Sequence, residues 1–187
     1  MEVAYRKNSE LTKKIVDKID GLQYHPNFLT KEKHDELFSF LQKLDYNLSN
    51  GRPTKFFGLD YKFNRKHHNK EKEPLPDYLN LLKPMGLNYD QLVIQHFRKE
   101  DGHNYMKEGD VFQDNVIIIV LGSSFVYNLK KNDDLILDFL VEPRSLLLIS
   151  EGSSKWERKI NRRVKERFNK CIIPRKDFYL LTYRNVK

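Results

Sequence analysis

From Val116 to Ile160 the chain is a succession of short apolar runs separated by turn residues, and this stretch limits the fold most. Val116 to Leu121 is apolar at every position, as expected of a strand covered on both faces inside a sandwich. Ser124 to Leu129 continues as the next strand, and Lys130-Lys131-Asn132-Asp133 reads as a hairpin turn. Leu135 to Val141 is a further strand. It is broken by Glu142-Pro143-Arg144, because proline cannot donate to a ladder. Ser145 to Ile149 returns, Ser150 to Lys155 is polar, and Trp156-Glu157-Arg158-Lys159-Ile160 follows.

The rest of the chain frames these strands. Ser9 is a candidate cap for a helix with Leu11, Ile15 and Ile19 at four-residue steps, stopped by Gly21. Its thin apolar stripe predicts docking on the domain or on a partner. Leu22 to Leu29 reads as a strand and turn. Thr30 caps a second helix with Leu37, Phe38, Leu41 and Leu44 on one face. Arg52 to Phe63 alternates as a strand, Asn64 to Glu73 is a charged loop holding His67 and His68, and a short helix through Leu81-Leu82 ends at Pro84 and Gly86. Leu92 to Arg98 and Phe178 to Arg184 are further strands. These readings alone give an α+β domain whose strands follow a helical N-terminal third.

With 187 residues, 39% of them apolar, the chain has enough for one core. No run of about 20 apolar residues exists, so membrane insertion is not expected. Met1 to Tyr5 lacks the apolar segment of a secretory signal, and the single cysteine, Cys171, forbids an internal disulfide. An intracellular location follows as the expectation, and Cys171 reads as a small buried side chain.

The order of these segments resembles the AlkB-like iron(II)/2-oxoglutarate dioxygenases. Tyr24-His25-Pro26-Asn27-Phe28-Leu29-Thr30 resembles the family's entry, and Arg52 to Phe63 its "R-x-x-x-(H/F)-F-G-x-x-Y-x-Y" strand, part of the substrate lid. Pro74-Leu75-Pro76 resembles "P-L-P-x-x-L", and Val116 to Ser123 resembles "I-x-x-(L/I)-S-L-G-S". Ser145 to Ile149 resembles the "(G/R)SLLVM" strand, which leads into "W-x-H-x-I". The resemblance covers roughly Tyr24 to Arg184 and implies a mainly β domain, a double-stranded β-helix (jelly roll, two sheets), with N-terminal helices packed outside. It divides the chain into a helical extension at 1–21 and the β-helix domain at 22–187.

The same resemblance implies that the family's chemistry is degraded here. Arg158 stands where "W-x-H-x-I" places a metal histidine. The other ligand pair falls on Met106 and Glu108 when aligned through Gly102, as in the branch fused to a tRNA methyltransferase, or near Lys107 without gaps. Of the terminal "R-x-S-x-T-x-R", whose arginines hold 2-oxoglutarate, Thr182 and Arg184 remain, while Phe178 and Leu180 replace the others. A guanidinium has no lone pair for a metal, and an iron oxygenase needs two histidines and a carboxylate on one face. A rebuilt site from His96, His103, Glu108 and Asp110 has neither helix-pair nor strand-face spacing. Arg158 is expected to fill the metal position with a fixed charge, neutralised by Glu108, Glu151 or Glu157.

These residues predict a catalytically inactive domain with no resident cofactor, serving as a structural or binding subunit of a larger assembly, a ribonucleoprotein among them. One alternative is an active nucleic-acid or protein demethylase using Fe2+ and 2-oxoglutarate at a shifted site; another is a free-standing RNA-binding module. Expected partners are protein subunits, with RNA as a second class. Net charge is +8, and Lys155 to Lys170 holds eight Lys and Arg against two Glu. Its candidate partner contacts are Lys155, Arg158, Lys159, Arg162, Arg163, Lys165 and Arg167, with Trp156 in the core. Periodicity allows a helix with Trp156, Ile160, Val164 and Phe168 on one face; the resemblance predicts a strand followed by a basic hairpin or loop.

Overall fold

A computed structural model describes residues 2–49, 51–59, 73–109, 112–131 and 135–187 of the chain. In order these form α1 (Glu2–Val16), β1 (Leu22–His25), α2 (Lys31–Leu41), β2 (Asn47–Ser49), β3 (Arg52–Gly58), β4 (Gln91–Phe97), β5 (His103–Met106), β6 (Phe112–Leu121), β7 (Phe125–Lys131), β8 (Leu135–Val141) and β9 (Leu146–Ile149). A single-turn α3 (Glu151–Ser154) follows, then β10 (Glu157–Ile160), β11 (Lys165–Phe168), β12 (Cys171–Pro174) and β13 (Phe178–Val186). Two 3-10 turns, Asp77–Leu79 and Lys83–Met85, stand in place of the short helix expected through Leu81-Leu82.

The strands build a seven-stranded sheet, ordered β1-β9-β6-β13-β4-β3-β2, facing a four-stranded sheet, β5-β10-β7-β8; β11 and β12 form a separate hairpin. All of the named pairings are antiparallel. This is a mainly β double-stranded β-helix of two sheets with helices outside, as expected. Its central strand is β13, where Leu181 stands between Ile94 of β4 and Ile119 of β6.

Alternation explains the layers. Val116, Ile118 and Val120 of β6 point between the sheets, where they meet Phe97, Phe125, Phe139, Leu147, Trp156 and Phe178. Their neighbours Ile117, Ile119 and Leu121 point the other way, onto Leu37 and Leu41 of α2 and Leu79 and Leu82. An unbroken apolar run is what a strand covered on both faces requires. Thr30 caps α2 as expected, accepting from the Lys33 amide at 3.2 Å. Gly122 ends β6 at φ +98, and a Cβ there would lie 2.5 Å from the Asp177 carbonyl, so this corner takes no larger residue.

The first helix differs from its expected form. It runs from Glu2 to Val16, so Ser9 lies within it and caps nothing. Its hydroxyl instead donates to the Glu142 carboxylate. Thr12 donates to the Leu140 carbonyl at 2.8 Å on β8, whose far side pairs with no strand among the described residues. Leu11 and Ile15 pack against Val126, Leu140 and Phe168, while Val16 and Ile19 reach the main core. The helix thus docks on the four-stranded sheet. Cys171 is half-buried rather than fully buried. The His67-His68 pair and residues 60–63 of the expected lid strand lie outside the described residues. No helix among the described residues is long and apolar enough to cross a membrane.

Ile19 is 3% exposed at the foot of the first helix. Ile19→Ala is expected to cost about 2–5 kcal/mol in denaturant unfolding, by cavity formation, within a single cooperative transition. A separate early transition would mean that the N-terminal helix folds independently.

Candidate functional site

Two strands and one connecting segment bring charge into the mouth of the sandwich. Arg158 lies on β10 opposite Met106 of β5 and opposite Leu129 of β7. Arg184 lies on β13, in register with Gln91 of β4 and Val116 of β6. The two arginines therefore rise from different sheets. Between them stands Glu108, just after β5: Arg158 Nη2 donates to Oε1 at 2.7 Å and Arg184 Nη1 to Oε2 at 2.8 Å. Both guanidinium side chains are only 4% exposed, and Glu108 is 11% exposed. Of the three acids expected to neutralise Arg158, the structure selects Glu108. Glu157 faces outward with Lys130 at 3.9 Å, and Glu151 is exposed on α3.

Further contacts hold each arginine. Arg184 Nε donates to Gln91 Oε1 at 2.7 Å, Gln91 donates to the Leu59 carbonyl, and the Phe112 ring lies 4.0 Å from the guanidinium carbon. Burial pulls Arg184 below its usual range, and Glu108 opposes that shift. Arg158 faces Tyr127 of β7, whose hydroxyl is pushed up by burial and held back by the neighbouring guanidinium. One Arg158 nitrogen, Nη1, is buried without a hydrogen-bond partner. One carboxylate between two guanidiniums leaves the cluster with a net positive charge. Such an arrangement in a low-dielectric interior survives only when its geometry is good.

Beside this cluster lies His103, which the sequence suggested only as a metal ligand. Gly102 brings it in: a Cβ at Gly102 would lie 2.2 Å from the Ile160 carbonyl, so only glycine permits this approach. The imidazole sits edge-on to Phe97 and Tyr127. Burial pushes it down to about 4; a hydrogen bond with the Asn104 carbonyl opposes this, and Arg52 and Arg158 add to it. Arg52 lies over Phe97 at 3.9 Å and donates to the Gly102 carbonyl at 2.8 Å. Gln91, Phe112 and Tyr127 carried no signal in the sequence, because only strand register brings them to the arginines; Arg52 stands in the sequence only as the first residue of a lid-strand motif.

The other expected positions scatter. Thr182 is buried on the same face of β13 as Arg184, two residues away. Met106 is 39% exposed at the rim, and Lys107 is exposed. His96 points to the outer face, stacked on Tyr179 at 4.6 Å and 3.2 Å from Asp177, so the sheet separates it from His103. Asp110 lies outside the described residues. Of the shifted set, the described members are split, with His96 on the far side of the sheet from His103 and Glu108.

The basic segment 155–170 forms strand, loop and hairpin, as the resemblance predicted, and not a helix. Trp156 is 6% exposed in the main core. Two expected surface contacts need correction. Arg158 is buried on Glu108, and Arg163 pairs with the fully buried Glu166 at 2.7 Å. Glu166 also faces Arg175 at 3.6 Å, which in turn donates to the carbonyls of Asn161, Arg163 and Asp101. Lys155, Arg162, Lys165 and Arg167 remain exposed, and Lys159 is half-exposed.

Glu108→Gln leaves two buried guanidiniums without their anion and is expected to cost about 3–5 kcal/mol in equilibrium unfolding. Replacing all three charged residues by apolar ones is expected to cost less. The folded His103 titrates below its unfolded value of about 6.5, so the folded state binds fewer protons between the two values. Its contribution is whole above about pH 6.5 and is lost as pH falls toward 4, roughly 2–3 kcal/mol in all. His103→Asn is expected to flatten that part of the stability profile; an unchanged slope would place the imidazole in solvent.

No family model matches this sequence, and no curated protein matches it. Solved structures do match. The structure of OsALKBH1 is 13% identical, covers 88% of this chain and 97% of its own, and superposes with a TM-score of 0.68. A Pseudomonas putida prolyl-4-hydroxylase is 9% identical over 95% of this chain and 98% of its own, with a TM-score of 0.61. A Trichoplax adhaerens prolyl hydroxylase, in complex with a hypoxia inducible factor oxygen degradation domain peptide, is 9% identical over 98% and 93%, with a TM-score of 0.58. At these identities the likeness concerns the fold, and this chain has the double-stranded β-helix fold of 2-oxoglutarate/iron(II) oxygenase structures.

Proposed function

We propose that this chain is a β-helix domain without dioxygenase activity, acting as a structural or binding subunit of a larger assembly. One observation carries the reading: the Glu108 carboxylate is already shared between Arg158 and Arg184. Iron(II) in an oxygenase needs two imidazoles and a carboxylate that converge and leave open positions. The residues here do not fit it. A guanidinium offers protons and no lone pair, Met106 is a soft thioether, and both Glu108 oxygens accept charge-assisted hydrogen bonds. Among the described residues no group of three or more His, Cys, Asp or Glu could hold a metal. Arg184, the residue that the family resemblance assigns to 2-oxoglutarate, is engaged by Glu108, Gln91 and Phe112. A cosubstrate carboxylate would have to displace an internal one.

Anaerobic loading with iron(II) and 2-oxoglutarate tests this. The expected result is metal well below one equivalent after desalting and no succinate. Stoichiometric iron with 2-oxoglutarate turnover would overturn the reading and favour an active demethylase with a shifted site. Arg158→His alone is expected to restore neither, because one imidazole and one carboxylate do not complete the ligand set.

A further inference from the structure

Pairing every charge in the basic segment leaves an unbalanced face. Glu157 is taken by Lys130, Glu166 is buried under Arg163 and Arg175, and Arg158 is spent on Glu108. Lys155, Lys159, Arg162, Lys165, Arg167 and Lys170 make no ion pair with any described residue, and no acid of the segment remains to balance them. The nearest acids from other elements, Asp101 and Glu100, face Arg52 and Arg175.

The face is also fixed. Asn169 and Lys170 both have positive φ, 48 and 63, and close β11 and β12 in a two-residue turn of the mirror-image type. Alternation sends Glu166 and Phe168 inward and Lys165 and Arg167 outward. Phe168 packs on Val126 and Leu140 of the four-stranded sheet, and Arg175 ties the hairpin to the preceding loop by donating to Asn161 and Arg163. Towards β10 the same cationic stretch meets a ring: Tyr105 of β5 lies 5.3 Å from Lys159 Nζ and 5.6 Å from Lys130 Nζ. A half-buried aromatic on β5, flanked by lysines and paired through β5 and β10 with the start of the cationic segment, combines a stacking platform with a backbone-tracking charge row.

We propose that this outer face, from Tyr105 through Lys159 and Arg162 to Lys165 and Arg167, binds single-stranded nucleic acid. The phosphates are held by the unpaired cations, and one base stacks on Tyr105. This deepens the binding-subunit reading, on which it rests, by naming the partner chemistry. The cluster of Glu108, Arg158 and Arg184 plays no part in it.

The test is fluorescence anisotropy of the full chain with a labelled oligouridine of roughly 20 nucleotides, across about 50 to 200 mM salt. Binding is expected, weakening steeply with salt. Arg162→Ala/Lys165→Ala/Arg167→Ala is expected to weaken it and make the slope of log affinity against log salt shallower by about 2, at roughly 0.7 per lost phosphate contact. Tyr105→Ala is expected to weaken binding about tenfold with the slope unchanged. Lys43→Ala/Lys83→Ala, on the side of the seven-stranded sheet, leaves both unchanged. No binding at low salt, or binding indifferent to the triple variant while circular dichroism shows it folded, overturns the proposal. Equal affinity for polyglutamate as a competitor overturns it in favour of an acidic protein. None of these results touches the iron and 2-oxoglutarate assay, so the two readings fail separately.

Discussion

A single carboxylate joins the two sheets at the mouth of this fold. Glu108 accepts from Arg158 of the four-stranded sheet and from Arg184 of the seven-stranded sheet. Neither guanidinium could be buried alone, since an uncompensated charge in a protein interior costs several kcal/mol. The rest of the mouth follows from that constraint. Gln91 and Phe112 orient Arg184, Tyr127 faces Arg158, and His103 is held neutral beside them. The mouth is thus occupied by side chains that bond to one another across the two sheets.

The strands were largely legible because their causes are local. Val116 to Leu121 is apolar on both faces, and the structure covers both. Pro143 ends β8 where expected, and Thr30 caps α2. What escaped depends on distant partners. Ser9 has the chemistry of a helix cap, but Glu142, far along the chain, claims its hydroxyl. Periodicity in Lys155 to Lys170 allows a helix, and only the family resemblance argues for a strand and hairpin. Burial of Phe168 against Val126 and Leu140 decides for the hairpin, and no local signal reports that contact.

The site was legible in part for the same reason. Arg158 could be read as a non-ligand from side-chain chemistry alone, and Glu108 stood among three candidates for its counterion. The choice between them rests on Arg158 facing Met106 across β5 and β10, a register set by the whole sheet. Arg163 looked like a free surface charge because its acid, Glu166, lies in the same basic run and is buried only once the hairpin folds back. A fold shared with oxygenases does not carry their activity with it. The scaffold contributes positions, and the residues at those positions decide the chemistry.

The coupling between Glu108 and its arginines is what closes the mouth, and a double-mutant cycle measures it directly. Equilibrium unfolding of Glu108→Gln, Arg158→Met and the pair gives the interaction energy. Residues in one buried charge network are expected to couple by about 1–3 kcal/mol. A coupling near zero, with additive losses, would mean that the carboxylate and guanidinium are solvated apart. The mouth of the sandwich would then be open to another occupant, which contradicts a carboxylate shared between two buried arginines.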